Sequence, residues 1–186
     1  MPSDPIHRQR PGLNRRQLLL NGMLACAGLQ TLAVPAARAN GLRVGTAAPA
    51  ATLVTLDGRR IGTRELLGQV VLLTFWATWC TPCRKELPAL SDYAQRAQPG
   101  SFQVLGFSLD GADQLPQVRD VARELTFPVG LLEQSDAAGY GRIWRLPVSF
   151  LIDQRGYLVD DGWHDRDPVW TAERLEHSVT PLLPAA

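Results

Sequence analysis

The order of strand-like and helix-like segments predicts an α/β protein, a central mixed sheet flanked by helices with an added N-terminal β-hairpin. Three observations indicate this class. Short apolar runs alternate with capped helical segments, the uninterrupted apolar run at residues 70–76 is typical of a strand buried on both faces, and a second hairpin pattern ends the sheet. The chain has 186 residues, 45% of them hydrophobic and 20% charged, which suits one domain with its own core.

Six segments predict strands, because each is short, rich in strand-forming residues and bounded by turn residues. The pair Asp57-Gly58 is a strong tight-turn signal for the first hairpin, and residues 153–156 form the turn of the last one. The central run at 70–76 is too short for a helix. In chain order, the predicted strands are residues 52–56, 70–76, 102–108, 129–132, 148–152 and 157–160.

Capping residues and prolines predict four helices. Pro82 suits a first helical turn, whereas Pro88 is expected to kink the same helix because proline removes one hydrogen-bond donor. Asp113 and Ser135 are each expected to cap a helix, and Asp167-Pro168 is a cap followed by proline. In chain order, the predicted helices are residues 82–97, 113–125, 135–142 and 167–179, with a single helical turn at 63–68.

Residues 1–39 have the three parts of a secretory signal peptide, a basic start, an apolar middle and an Ala-x-Ala end. We expect cleavage after Ala39, leaving residues 40–186 as one domain in the periplasm or another extracytoplasmic space. The pair Arg15-Arg16 is similar to a twin-arginine export signal, with general secretion as the alternative. A retained membrane anchor and lipid attachment at Cys26 are the alternatives to complete removal.

The formal net charge is only +1, so the chain lacks the basic surface typical of a nucleic-acid-binding protein. Its basic residues are concentrated in residues 1–39, and the rest of the chain is mildly acidic. After cleavage the remaining cysteines are Cys80 and Cys83. In an oxidising compartment such a pair can persist as a disulfide.

The pair Cys80 and Cys83 lies where the buried strand gives way to a helix. Free N–H groups and the helix dipole favour a thiolate there, so we expect a lowered pKa and nucleophilic reactivity at Cys80. Cys83, one turn further on, is suited to resolving a mixed disulfide, and Pro82 stiffens the loop between them. Three alternatives remain: half of a zinc site completed by His164 or His177, a structural disulfide, although so short a loop gives little stabilisation, or two unlinked cysteines that are close by coincidence.

A resemblance to the TlpA/ResA-type thioredoxins is carried by residues 76–88, which read Trp-Ala-Thr-Trp-Cys-Thr-Pro-Cys-Arg-Lys-Glu-Leu-Pro. It extends over residues 44–182 and implies a thioredoxin fold. A second landmark, residues 146–153, resembles the family segment with a cis-proline before a strand. By that likeness Pro147 is cis, lies opposite the cysteines and has a backbone that pairs with an extended substrate. The alternative is an ordinary proline at the start of a strand.

The resemblance also implies roles for further residues. Glu86 is similar to the glutamate of ResA-type sites and is expected to accept a proton from Cys83, the alternative being a solvated glutamate that favours the helix dipole. Thr74 stands where general thioredoxins carry a buried aspartate, and Trp76 is expected in the core. Trp79 is expected to cover the disulfide. The expected substrate-binding residues are Trp79, Thr81, Pro82, Leu146 and Pro147.

The function implied by the resemblance is that of an exported thiol–disulfide oxidoreductase. It would reduce disulfides in proteins such as apocytochrome c or oxidase-assembly proteins, without a metal or other cofactor, and as a monomer. Since no third cysteine remains, a membrane thiol-reducing protein of the DsbD/CcdA kind is expected to reduce it. The alternatives are a disulfide oxidant or isomerase, a thiol peroxidase and a copper-binding assembly chaperone. Residues 163–165, Trp-His-Asp, have no assigned role and are expected to form a surface loop.

Overall fold

The structure, a computed structural model, describes residues 41–184, so the predicted signal peptide lies outside the described residues. Within this range no helix is both long enough and apolar enough to cross a membrane. The strands are β1 (Thr52–Val54), β2 (Arg60–Gly62), β3 (Val70–Trp76), β4 (Phe102–Ser108), β5 (Val129–Leu131), β6 (Val148–Ile152) and β7 (Leu158–Asp161). The α-helices are α1 (Thr81–Arg96), α2 (Leu115–Ala122) and α3 (Ala172–Ser178).

Five strands form one mixed sheet in the order β5-β4-β3-β6-β7, and β1 and β2 pair separately as an antiparallel hairpin. Strands β3, β4 and β5 are parallel, whereas β6 runs antiparallel to both β3 and β7. The central strand β3 is buried along its whole length, as expected for an apolar run covered on both faces. The predicted mixed sheet with an added N-terminal hairpin is confirmed.

Alternate residues of β3 face opposite sides of the sheet, each side with its own buried cluster. Leu72 and Trp76 belong to the cluster that contains both cysteines of the motif, whereas Leu73 belongs to the cluster on the other face. Trp76 is therefore a core residue, as predicted. Because Thr74 lies between Leu72 and Trp76 in the alternation, its side chain points to the face of the sheet that carries the cysteines.

The α-helices supply buried side chains to the cysteine-containing face. Leu87 of α1, Val118 of α2 and Leu175 of α3 all belong to that cluster. The opposite face is covered by the β1–β2 hairpin and by short 3-10 turns, with Leu53 and Tyr140 among its buried residues. This arrangement places the N-terminal end of α1, at the cysteines, against the carboxyl end of β3.

Two predicted helix caps, Asp113 and Ser135, are wrong. Asp113 lies in a 3-10 turn, Ala112–Gln114, and α2 begins only at Leu115, with a proline in its first turn. The hydroxyl of Ser135 instead donates to the carbonyl of Leu131 at 2.8 Å and accepts from the N–H of Val54 at 3.0 Å. Since this hydroxyl joins β1 to β5, it is not free to cap a helix, and only short 3-10 turns form there.

The last helix also begins later than predicted. The sequence places its start at Asp167-Pro168, but α3 starts at Ala172, where the Thr171 hydroxyl accepts from the N–H of Arg174 at 3.2 Å. The stretch before Thr171 stays outside the helix because its backbone contacts the functional site, as described below.

Candidate functional site

The two cysteines occupy the junction between β3 and α1. Cys80 is the N-terminal capping residue of α1, and its sulfur accepts a hydrogen bond from the N–H of Cys83 at 3.3 Å. The two side chains form a disulfide, with Cα atoms 5.3 Å apart. Cys80 is 5% exposed and Cys83 is fully buried, so Cys80 is the more accessible of the two residues. When the pair is reduced, the helix N-terminus stabilises a thiolate at Cys80.

The loop before Cys80 is held by a buried carboxylate that the sequence analysis missed. Asp110 follows the end of β4 and accepts from the backbone N–H of Thr78 at 2.9 Å and from its hydroxyl at 2.6 Å. The Ser108 hydroxyl donates to the same carboxylate at 2.6 Å. The sequence contained a signal for this contact, because Asp110 and Thr78 each follow one of two neighbouring parallel strands, and the carboxyl ends of such strands meet at one edge of a sheet. Asp110 thereby connects the end of β4 to the loop that carries the nucleophile.

Glu86 is fully buried on α1, so the alternative to the predicted proton acceptor, a solvated glutamate, is wrong. Its carboxylate accepts from the Thr74 hydroxyl at 3.1 Å and from the backbone N–H of Trp170 at 3.0 Å. Burial raises the pKa of Glu86 from its ordinary value of 4.5 to about 7, against the lowering effects of these two donors and of the charge on Arg174. Glu86 follows Cys83 by three positions, and residues with this spacing lie on one helical face.

The predicted cis peptide bond is present between Leu146 and Pro147. In the register of β3 with β6, Phe75 pairs with Val148, so Pro147 lies at the end of β3 from which the cysteine loop leaves. Leu146 is half-buried and packs against the cluster that contains both cysteines. The structure therefore brings the proline segment and the cysteine segment to the same edge of the sheet.

The other predicted substrate-binding residues differ in exposure. Trp79 is 64% exposed, an unusual environment for so large an apolar side chain. Thr81 and Pro82 are also exposed, in the first turn of α1, whereas Pro147 is buried. The accessible surface around the disulfide is therefore formed by the cysteine loop. Because the side chain of Pro147 is buried, this segment can contact a substrate only through the backbone beside Pro147.

Residues 163–165 form a turn after β7, which agrees with a surface loop, but their side chains are well anchored. The indole N–H of Trp163 donates to the carbonyl of Tyr140 at 2.9 Å, and its ring stacks on that of Trp144 with centroids 5.7 Å apart. His164 contacts Asp161 at 2.9 Å. These aromatic side chains line an open cavity of about 410 Å³.

No group of three or more His, Cys, Asp or Glu side chains within residues 41–184 is arranged to hold a metal ion. The two sulfurs are bonded to each other, and His164 contacts Asp161. The groups gathered around the disulfide, a buried carboxylate with its two hydrogen-bond donors, are suited to proton transfer and thiol exchange.

Comparison with known proteins gives one consistent picture. The model of the AhpC/TSA family matches residues 44–160. The thiol–disulfide oxidoreductase ResA of Oceanobacillus iheyensis is 33% identical over 147 residues, which cover 76% of this chain and 74% of that protein. ResA of Bacillus cereus is 29% identical over 143 residues, or 77% of this chain and 80% of that protein. Among solved structures, a thiol:disulfide interchange protein of the DsbE kind from Chlorobium tepidum superposes with a TM-score of 0.62 at 26% identity, covering 76% of this chain and 99% of that one.

Proposed function

Because this chain belongs to the AhpC/TSA family and, within it, to the ResA-type thiol–disulfide oxidoreductases, we propose that it reduces disulfides of exported proteins through Cys80, Cys83 and Glu86. The observation that carries this proposal is the pairing of a disulfide at a helix N-terminus with a fully buried glutamate on the same helix. The first group exchanges electrons with substrate, and the second can accept a proton near neutral pH.

The reaction begins with the reduced pair. The Cys80 thiolate attacks one sulfur of the substrate disulfide, an S–S bond forms between enzyme and substrate, and the substrate's own S–S bond breaks. The other substrate sulfur leaves as a thiolate and takes a proton from water. Cys80 is the attacking residue because it is the more exposed of the two and caps the helix, whereas Cys83 is fully buried.

The second step resolves the mixed disulfide. The Cys83 thiol gives its proton to the Glu86 carboxylate, and its sulfur forms a bond with the sulfur of Cys80. The bond to the substrate breaks, and the substrate leaves with both of its sulfurs reduced. Two electrons have then passed from the enzyme to the substrate, and the enzyme is left with the Cys80–Cys83 disulfide seen in the structure. Because the pKa of Glu86 is about 7, the carboxylate is present in a substantial fraction at neutral pH.

The substrate docks across the edge where the cysteine loop and the Leu146–Pro147 segment meet. The exposed ring of Trp79 provides an apolar contact beside Cys80. The backbone near Pro147 pairs with an extended stretch of the substrate, which favours an unfolded or flexible polypeptide such as apocytochrome c. An oxidase-assembly protein with a flexible cysteine-containing segment is the other substrate of this kind.

Export and re-reduction complete the proposal. Residues 1–39 direct the chain out of the cytoplasm as a cleaved signal peptide, and residues 40–186 act there as a monomer. A membrane thiol-reducing protein of the DsbD/CcdA kind returns two electrons to the Cys80–Cys83 disulfide. The reductive direction rests on the likeness to ResA.

The test uses Cys80→Ala and Cys83→Ala in the chain of residues 40–186, with the unchanged protein as the control. We expect Cys80→Ala to lose all reduction of a protein disulfide, because no accessible thiolate remains. Cys83→Ala is expected to form a mixed disulfide with the substrate that persists until an external thiol is added. The mixed disulfide is identified by mass spectrometry in the absence of reductant. Full turnover by either variant would contradict the assigned roles, and hydrogen peroxide consumption equal to disulfide reduction would favour a peroxidase instead.

A further inference from the structure

The segment between β7 and α3 returns to the buried glutamate. The backbone N–H of Trp170 donates to Oε2 of Glu86 at 3.0 Å, across 84 residues of sequence. Trp170 is 1% exposed, so this donor and acceptor meet away from water. A hydrogen bond to a carboxylate in such surroundings favours its ionised form. The position of the Trp170 backbone therefore affects how readily Glu86 accepts and releases a proton.

Arg174 fixes the position of Trp170. The guanidinium carbon of Arg174 lies 4.0 Å from the centroid of the Trp170 ring, close enough for a strong cation–π contact. The Arg174 side chain is only 20% exposed, so solvent screens this contact weakly. The positive charge of Arg174 also lowers the pKa of Glu86, in opposition to the effect of burial.

Three oxygen atoms hold the guanidinium of Arg174 in turn. Asp160 accepts from it at 2.8 Å, Asp165 forms a second ion pair with it, and the carbonyl of Asp167 accepts a further hydrogen bond. A guanidinium held at several points has one orientation, which a freely rotating side chain would lack. Asp165 belongs to the turn at residues 163–165, to which the sequence assigned no role.

We propose that Arg174, anchored by Asp165, is a positioning residue for the resolving step, because it holds the Trp170 N–H on Glu86 and supplies the positive charge that acts on this carboxylate. The proposal rests on the proposed role of Glu86. The groups that act on the Glu86 carboxylate are the neutral hydroxyl of Thr74 from β3, the backbone N–H of Trp170 from the segment before α3, and the positive charge of Arg174 from α3. Cys83 precedes Glu86 by three positions on α1.

Removing the positive charge makes the Glu86 carboxylate harder to form. The pH at which the resolving step reaches half of its maximal rate is therefore expected to rise in Arg174→Met. A rise of about half to one pH unit slows the step about twofold to fivefold at pH 7, where the carboxylate of the unchanged protein is about half formed, and about threefold to tenfold at more acidic pH. The rates of variant and unchanged protein converge at alkaline pH, where the carboxylate is ionised in both. A merely structural role would instead reduce the rate by the same factor at every pH.

The experiment follows the resolving step directly. Reduced protein is mixed with oxidised glutathione, and samples are quenched with acid and analysed by mass spectrometry for the decay of the glutathione adduct at Cys80. The variants are Arg174→Met, Arg174→Lys and Asp165→Asn. Arg155→Met is the matched control, since Arg155 also pairs with an aspartate at 2.9 Å and lies 5.3 Å from an aromatic ring, but its side chain is 79% exposed.

The expected result is a shift of the pH profile in Arg174→Met, a smaller shift in Arg174→Lys, which keeps the charge, and no shift in Arg155→Met. If Arg174→Met does not fold, Asp165→Asn tests the same point, because it removes one of the groups that anchor the guanidinium while the guanidinium itself remains. An unchanged profile in the folded Arg174 and Asp165 variants overturns the proposal. Glu86→Gln distinguishes a failure of the positioning role of Arg174 from a failure of the proton-accepting role of Glu86. If Glu86→Gln alters the pH profile and the Arg174 variants do not, only the role of Arg174 is wrong. If Glu86→Gln has no effect on the profile, both roles are wrong.

Discussion

Replacing Glu86 by glutamine removes a buried ionisable group without changing its size. Glutamine can also keep both hydrogen bonds, since its carbonyl can accept from the Trp170 N–H while its amide donates to the Thr74 hydroxyl, which then accepts. The substitution therefore isolates the effect of charge. Because the side chain is fully buried, the wild-type carboxylate must ionise without contact with solvent.

The expected magnitude follows from the pKa of Glu86, which burial raises from 4.5 to about 7. The folded protein then binds this proton more tightly than the unfolded chain does. Between the two pKa values the folded state carries more protons, so the free energy of unfolding falls as the pH rises. The full difference corresponds to about 3 kcal/mol. This contribution to the free energy of unfolding is fully present at acidic pH and is lost above neutral pH. Glu86→Gln lacks this pH dependence because glutamine does not ionise.

The assay is urea unfolding of the oxidised protein at a series of pH values, followed by tryptophan fluorescence. We expect the free energy of unfolding of Glu86→Gln to rise by about 2–3 kcal/mol relative to that of the unchanged protein as the pH rises from about 5 to about 9. Glu133→Gln is the matched control because Glu133 is exposed. Its free energy of unfolding should follow that of the unchanged protein within about 0.5 kcal/mol. A difference between Glu86→Gln and the unchanged protein that does not vary with pH would contradict a raised pKa of Glu86 in the folded protein.

Two further predictions concern the cysteine loop. Asp110→Asn should lower the free energy of unfolding by about 1–3 kcal/mol and slow the attack of Cys80 on a disulfide, because the Thr78 N–H and hydroxyl lose a charged acceptor. Urea unfolding measures the first effect and stopped-flow kinetics the second, and unchanged values for both would contradict the anchoring role of Asp110. Trp79→Ala should leave the free energy of unfolding within about 0.5 kcal/mol, since the ring is 64% exposed, while raising KM for a protein disulfide but not for oxidised glutathione; equal effects on the two substrates would exclude a docking role.

The parts of the fold that the sequence predicted well are those set by local patterns. Strand β3 has the bounds that its apolar run indicates, and β4 coincides with its predicted segment. The cysteines lie at the start of α1, because a buried strand followed by proline leaves few other arrangements. The cis bond at Pro147 came from the family resemblance, since nothing in the local sequence requires it.

The parts that the sequence could not predict depend on distant contacts. Ser135 is a good capping residue in isolation, but its hydroxyl bonds to Val54, which is 81 residues away. Trp170 was missed for the same reason, since its partner Glu86 lies 84 residues away. Asp110 could have been proposed from its place after a predicted parallel strand, but its partner Thr78, 32 residues away, is set by tertiary structure. The burial of Glu86 likewise depends on the segment before α3. In each case tertiary contacts, and not local propensity, determine what the residue does.

The midpoint potential of the Cys80–Cys83 pair tests the proposed direction of electron flow most directly. The protein is equilibrated in thiol redox buffers, and the reduced fraction is measured by thiol alkylation and by the fluorescence of the adjacent Trp79. A reductant that depends on an electron-donating membrane protein predicts a value near about −250 mV or lower. A value near about −120 mV would contradict the account, because the pair would then oxidise the substrates that it is proposed to reduce.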